Sequence, residues 1–113
     1  MLSKSRRLPI KDFFGPQAPK PFRIARNQAF SIKIYNPQQK YSRFGVVVSK
    51  KIADKASARV KIKRTVFNFV RVNQKNIALA DYLIIPSPTV SKLDRAIIQQ
   101  DLSDLLLSRT FNY

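Results

Sequence analysis

The sequence predicts an α+β fold, because segments with strand periodicity and segments with helix periodicity occur in one short chain. Its 113 residues suffice for one domain with a modest core, and we take residues 1–113 as that domain. Apolar residues make up 44% of the chain, which is typical of a globular protein rather than of a disordered basic tail. Three segments have the pattern of strands and two have the pattern of amphipathic helices.

The three predicted strands cover residues 29–35, 43–49 and 81–86. The first alternates, with Phe30 and Ile32 on an apolar face and Lys33 and Tyr35 on a polar face, which indicates a half-buried strand. The third is a continuous apolar run, which indicates burial on both faces of a sheet.

The two predicted helices follow the second and third strands. In residues 54–73 the core positions recur at helical spacing, and Asp54 is the expected N-cap. Residues 91–94 resemble a capping box with Asp94 in the Glu position, and they precede a second amphipathic helix. The expected core positions of the two helices are Ala58, Ile62, Val66 and Phe69 in the first, and Leu93, Ile97, Ile98, Leu102, Leu105 and Leu106 in the second.

The amino-terminal region is expected to be mostly irregular. Residues 3–14 fit one or two short helical turns that end at Gly15. Prolines at 16, 19 and 21 then favour an extended connector, because proline fixes φ and biases the preceding residue away from helix.

Positive charge is concentrated in the first two thirds of the chain. The net charge is +16, and residues 1–75 hold 19 Lys and Arg against 2 Asp. Residues 49–64 contain seven cations and one carboxylate, Asp54. A lysine-rich helix can be no more than a solvated face, but acidic partners for i,i+4 pairing are almost missing here. The pattern therefore favours contact with a nucleic-acid backbone through Lys50, Lys51, Lys55, Arg59, Lys61, Lys63 and Arg64.

Aromatic residues offer a second type of RNA contact. Tyr35 is predicted to lie on the polar strand face beside Lys33, and aromatic rings among cations stack on unpaired bases. Phe13 and Phe14 are either core residues that hold a helical turn on the sheet or further stacking residues.

The composition argues against catalysis by side chains. The chain has no His, no Cys and no Glu, and its six Asp are scattered, whereas general acid–base and metal sites recruit these residues in clusters. No apolar run approaches the ~20 residues of a membrane span, and residues 1–4 lead into charge rather than into the core of a signal peptide. We expect a cytoplasmic protein without a tightly bound metal.

Residues 41–71 resemble the protein subunit of bacterial ribonuclease P. That family has a strand ending in Ser-Lys-Lys, followed by a helix with an Arg-Asn-Arg-x-Lys-Arg signature. Here Ser49, Lys50 and Lys51 end the strand, and residues 59–64 read Arg-Val-Lys-Ile-Lys-Arg, with Val60 in the place of the signature Asn. The resemblance extends to the amino-terminal segment 6–13, to residues 81–85 and to the carboxy-terminal helix.

The resemblance implies a two-layer α+β domain with a central, mostly antiparallel sheet, about three helices and a left-handed β-α-β crossover, as in the second domain of ribosomal protein S5. It implies an RNA-binding subunit that assists a catalytic RNA in removing the 5′ leader of precursor tRNA. The active site would belong to the RNA, which would hold Mg²⁺, and the protein would act as a monomer without a membrane. The seven cations listed above would meet the catalytic RNA, and the leader cleft would be lined by Phe13, Phe14, Lys33 and Tyr35.

A second function class stays open on composition alone. A structural ribosomal protein or a general RNA chaperone would also be small, basic and rich in aromatic residues. A peripheral membrane protein is disfavoured, because the basic helix lacks the broad apolar face that such helices insert.

Overall fold

Four strands form one sheet in the computed structural model, which describes residues 4–88, 90 and 93–107. In chain order they are β1 (Arg23–Arg26), β2 (Phe30–Tyr35), β3 (Arg43–Val46) and β4 (Asp81–Pro86). Their order in the sheet is β1-β2-β4-β3. The pairs β1–β2 and β2–β4 are antiparallel and β3–β4 is parallel, so the predicted α+β fold with a mostly antiparallel sheet is confirmed.

Two α-helices lie in the described residues: α1 (Ala56–Asn73) between β3 and β4, and α2 (Arg95–Leu106) after β4. Short 3₁₀ helices cover Lys4–Arg6, Ile10–Phe13 and Gln74–Asn76. The prediction of about three helices is therefore only approximately correct. The amino-terminal helical turns remain separate 3₁₀ turns, and they end before Gly15, which has a φ of +92°. α1 connects parallel neighbours and so forms a β-α-β crossover, whose left hand stays a prediction.

The main core lies between the sheet and the two α-helices. On the sheet side, Phe44 and Tyr82 stack with ring centroids 5.2 Å apart, and the Tyr82 hydroxyl donates to Ala78 O at 2.6 Å. Burial raises the pKa of Tyr82 well above its usual range. Fully or nearly fully buried partners from the helices are Val66, Phe67, Val70, Leu102, Leu105 and Leu106.

A smaller core lies on the other face of the sheet, under the amino-terminal segment. Leu8 and Phe13 cover Tyr35 and Leu83 there, and Leu8 N donates to Phe44 O at 2.9 Å. Gly45 is needed for this approach, because a Cβ at that position would lie 2.9 Å from Ile10 Cγ1. The prediction that β4 is buried on both faces is confirmed by these contacts.

The predicted start of each α-helix needs correction. The N-cap of α1 is Lys55 without a side-chain cap bond, so the prediction of Asp54 as N-cap was wrong. The N-cap of α2 is Asp94, whose Oδ1 accepts from Ile97 N at 3.0 Å, so Asp94 does not occupy the fourth position of a capping box. The other polar end of the predicted box, at residues 91 and 92, lies outside the described residues.

Two strand predictions also differ from the structure. β3 ends at Val46 rather than at residue 49, and Val47 N makes one further bond to Ile84 O of β4. Beyond it, Ile52 N and Ala53 N both donate to Ser49 O and turn the chain toward α1. The predicted extended connector contains a strand, β1, which pairs along its length with β2.

A buried ion pair joins β3 to β4. Arg43 Nη2 lies 2.8 Å from Asp81 Oδ2, and Arg43 Nε donates to Asp81 Oδ1 at 3.2 Å. Asp81 is fully buried, and its hydrogen bond raises the pKa of Arg43. A bidentate pair of this kind fixes the relative position of the two parallel strands.

Removing one partner of this ion pair should destabilise the fold. Asp81→Ala leaves the Arg43 guanidinium without its counter-charge, so we expect a loss of about 3–5 kcal/mol in the free energy of unfolding, measured by urea denaturation. Asp104→Ala on α2, an exposed carboxylate, is the matched control and should stay within about 0.5 kcal/mol of wild type. Equal, small effects of the two substitutions would contradict this role of Asp81.

Candidate RNA-binding surface

The seven predicted RNA-binding cations lie on one continuous stretch of backbone, from the turn after β3 to the middle of α1. We call them the basic surface: Lys50, Lys51, Lys55, Arg59, Lys61, Lys63 and Arg64. Lys50 and Lys51 are exposed in the turn, and Lys61 and Arg64 are exposed on α1. The helix faces the core with Val66, Phe67 and Val70, so its charged positions are turned toward solvent.

Arg59 differs from the other cations of the basic surface. Its Nη1 donates to Ala53 O at 3.0 Å and to Asp54 O at 2.7 Å. It thereby holds the turn that carries Lys50 and Lys51 against the first turn of α1. The same two bonds explain why Asp54 lies outside the helix, with its backbone oxygen rather than its carboxylate engaged.

The remaining cations of the basic surface have no protein partner in the part of the chain that the structure describes. Their side chains form no hydrogen bond and no ion pair with another described residue. Unpaired cations at this density repel one another, and binding a polyanion relieves the repulsion. The basic surface therefore has the charge and the exposure needed to bind a phosphate backbone.

The structure separates the four predicted leader-cleft residues into two pairs. Phe13 and Tyr35 are 6% and 4% exposed, and their rings meet edge to face with centroids 4.8 Å apart. Burial also raises the pKa of Tyr35. Phe14 is half exposed, and Lys33 is partly exposed on the same sheet face as Tyr35.

The interpretation that Tyr35 projects from a solvent-exposed polar face was wrong. Alternation assigned Tyr35 to the correct face, opposite Phe30 and Ile32, but it could not show that the amino-terminal segment covers that end of the face. Tyr35 is a core residue of the smaller cluster, and it offers no free ring for stacking in this structure.

Three exposed residues near Lys33 were missed by the sequence analysis. In the β1–β2 register Ile24 pairs with Lys33 and Arg26 with Ser31, so Ile24 and Arg26 lie on the same face as Lys33. Phe22, just before β1, is 52% exposed. The alternation of residues 23–26 was the available signal, but it is only four residues long and follows three prolines. We call this group, with Phe14, the open sheet face: Phe14, Phe22, Ile24, Arg26 and Lys33.

Comparison with known protein families gives a match over nearly the whole chain. The family model described as Ribonuclease P matches residues 2–109. The chain belongs to the ribonuclease P protein family. The match includes every residue of the basic surface and of the open sheet face.

Solved structures of ribonuclease P proteins have the same fold. The RNase P protein from Thermotoga maritima, in complex with 1-(4-fluorophenyl)-2-thiourea, is 29% identical and aligns over 75% of this chain and 83% of its own, with a TM-score of 0.69. The Staphylococcus aureus RNase P protein is 26% identical over 74% of this chain and 76% of its own, with a TM-score of 0.68. Comparison with curated proteins gave no significant match.

Membership in this family, with these structural relatives, confirms the predicted role as a ribonuclease P subunit in tRNA processing. An RNA partner follows from it. Nothing in the comparisons favours a structural ribosomal protein or an RNA chaperone. In the described part of the chain, neither α-helix is long and apolar enough to cross a membrane.

Arg59 should contribute to folding, whereas its neighbours on α1 should not. Arg59→Ala removes two charge-assisted hydrogen bonds to backbone carbonyls, and we expect a loss of about 1 kcal/mol in the free energy of unfolding after allowing for partial exposure. Arg64→Ala, an exposed arginine on the same helix, should change it by less than about 0.5 kcal/mol. Urea denaturation of both variants checks this, and the reverse order of effects would contradict it.

Proposed function

We propose that this chain assists the catalytic RNA of ribonuclease P in removing the 5′ leader from precursor tRNA, and that the reacting groups belong to the RNA. The single observation that carries the proposal is the basic surface, whose exposed cations lack protein partners in the described residues. Such a surface screens the repulsion between two RNA molecules when both lie against it. In this proposal the basic surface binds the catalytic RNA.

The side chains present support an RNA-borne active site. The chain has no His, Cys or Glu to activate water or to hold a metal. Three of its Asp side chains have partners within the fold: Asp81 pairs with Arg43, Asp94 caps α2, and Asp104 accepts from Gln100. In the described residues no three metal-ligating side chains come together, so they offer Mg²⁺ no cage of ligands. The proposal therefore assigns Mg²⁺ mainly to the RNA subunit.

The open sheet face is our candidate for the leader site. It combines an exposed aromatic ring, Phe22, with two cations, Lys33 and Arg26. Single-stranded nucleic acids bind to surfaces of this kind, where bases stack on rings and cations follow the backbone. Phe14, which is half exposed and follows Phe13 in the chain, is a further candidate contact, whereas Phe13 and Tyr35 pack in the smaller core.

The proposed cellular setting follows from charge and composition. We place the complex in the cytoplasm, where a chain without cysteine needs no oxidising compartment. We also propose that the protein acts as a monomer, because a net charge of +16 on each copy opposes self-association in the absence of RNA.

Reconstitution tests whether the RNA, and not the protein, carries the reacting groups. The purified, RNA-free protein should not cleave precursor tRNA, because it carries no group suited to activating water. An in vitro transcript of a bacterial ribonuclease P RNA should cleave precursor tRNA at the mature 5′ end once the protein is added. The Mg²⁺ concentration is kept too low for efficient cleavage by the RNA alone. Cleavage by the protein alone, or no effect of the protein on the RNA, would contradict the proposal.

Substitution of one exposed aromatic residue, with a matched control variant, tests the leader site. Phe22→Ala should weaken binding of leader-bearing tRNA to the assembled complex by about 1–3 kcal/mol, because a stacked base loses its platform. Mature tRNA should bind as before, since it has no leader. Leu79→Ala, a residue with the same 52% exposure, is the control and should change neither dissociation constant. Equal losses for both tRNA forms would place the leader elsewhere.

A further inference from the structure

A groove runs along the outer side of α1, where the first residue of α2 approaches it. Its volume is about 830 Å³. The groove is lined by Ser57, Val60, Lys61, Arg64, Thr65, Asn68 and Arg95. The α1 residues recur every three or four positions, so they form one face of the helix, and Arg95 closes the groove from the other element.

The lining of this groove carries three cations and no carboxylate. Lys61, Arg64 and Arg95 are exposed, and none has an ion-pair partner in the described ranges. The neighbouring Asp94 caps α2 through Ile97 N and forms no ion pair with Arg95. The groove is therefore complementary in charge to a phosphate backbone.

Arg95 stands at a helix position that is unfavourable for a cation. It is the first residue of α2, next to the N-cap, where the positive end of the helix dipole repels a cation. Its side chain is exposed and has no hydrogen-bond partner in the described residues. A cation placed where the fold disfavours it, beside two others on α1, points to a ligand that supplies negative charge.

Val60 indicates which part of an RNA the groove can contact. It is 43% exposed in the groove, and it stands where the family signature has an amide side chain. A valine cannot hydrogen-bond to a base edge, and the Thr65 hydroxyl already donates to Lys61 O at 2.9 Å. Val60 and Thr65 thus supply no free hydrogen-bond donor for a base edge, whereas the three cations can pair with phosphates of any sequence.

We propose that the groove between α1 and α2 holds a segment of the phosphodiester backbone of the catalytic RNA, and that Arg95 contacts a phosphate there. This inference rests on the proposed function and extends its RNA interface from α1 to α2. Arg95 lies outside both the signature helix and the open sheet face, so neither the sequence motif nor the leader site assigns it a role.

The salt dependence of RNA binding tests the role of Arg95. For wild type and Arg95→Ala, the dissociation constant with a ribonuclease P RNA transcript is measured over a range of salt concentrations. Loss of one phosphate contact should reduce the slope of log K against log[salt] by about 1, with the largest loss of affinity at low salt. The variant should melt at the wild-type temperature or slightly above it, because the substitution removes a charge that the helix dipole disfavours.

Lys75→Ala is the matched control for charge. Lys75 is exposed beyond the far end of α1, and the substitution removes the same single charge. Its slope should equal that of wild type. An unchanged slope for Arg95→Ala, or equal slopes for the two variants, would overturn the groove assignment. If wild type itself fails to bind the transcript, the proposed function fails instead.

The absence of cysteine permits a direct positional test. A single cysteine can be introduced by Ser57→Cys, in the groove, or by Lys75→Cys, outside it. Each cysteine can carry an iron chelate that cleaves nearby RNA. We expect the Ser57 probe to cut the transcript at one confined backbone segment, and the Lys75 probe to leave that segment intact. No cleavage from the Ser57 probe, with binding retained, would show that RNA does not enter the groove.

Discussion

The parallel pairing of β3 with β4 is the constraint on which the rest of the structure depends. Parallel neighbours need a crossover connection, and α1 is that connection. Because α1 covers the sheet, its buried residues Val66 and Val70 face inward, and Lys61 and Arg64, in the first half of the helix, lie exposed on its outer side. The buried Arg43–Asp81 pair then fixes the two strands at their amino-terminal ends, where the chain enters β4 after α1. The position of the basic surface thus follows from strand topology.

In the proposed arrangement, the two faces of the sheet serve different RNA contacts. One face is covered by α1 and α2, whose outer side carries the basic surface and the groove at Arg95. The other face is covered only in part, by the segment around Leu8 and Phe13, and the part near β1 remains open. We propose that this small chain thereby presents two separate surfaces to RNA, one to the catalytic RNA and one to the leader.

Elements with a long periodic pattern were predicted correctly from the sequence, whereas features that depend on tertiary contacts were not. β2, β4, α1 and α2 were predicted because their apolar residues repeat over six or more positions. β1 was missed because four residues after a proline-rich stretch carry too weak a signal. Tyr35 was assigned to the correct face, but its burial depends on a segment some twenty residues earlier in the chain. Arg59 was predicted as an RNA contact from the charge pattern and from the family signature, and its bonds to two carbonyls become visible only once the turn is folded.

Lysine acetylation footprinting tests the central claim, that RNA covers the outer side of α1, most directly. The free protein and its complex with a ribonuclease P RNA transcript are acetylated briefly, and each lysine is quantified by mass spectrometry. Lys50, Lys51 and Lys61 should lose most of their reactivity in the complex, whereas Lys75 should stay reactive. Unchanged reactivity of the three lysines, with protection at Lys75 instead, would contradict the claim and move the interface to the other end of the helix.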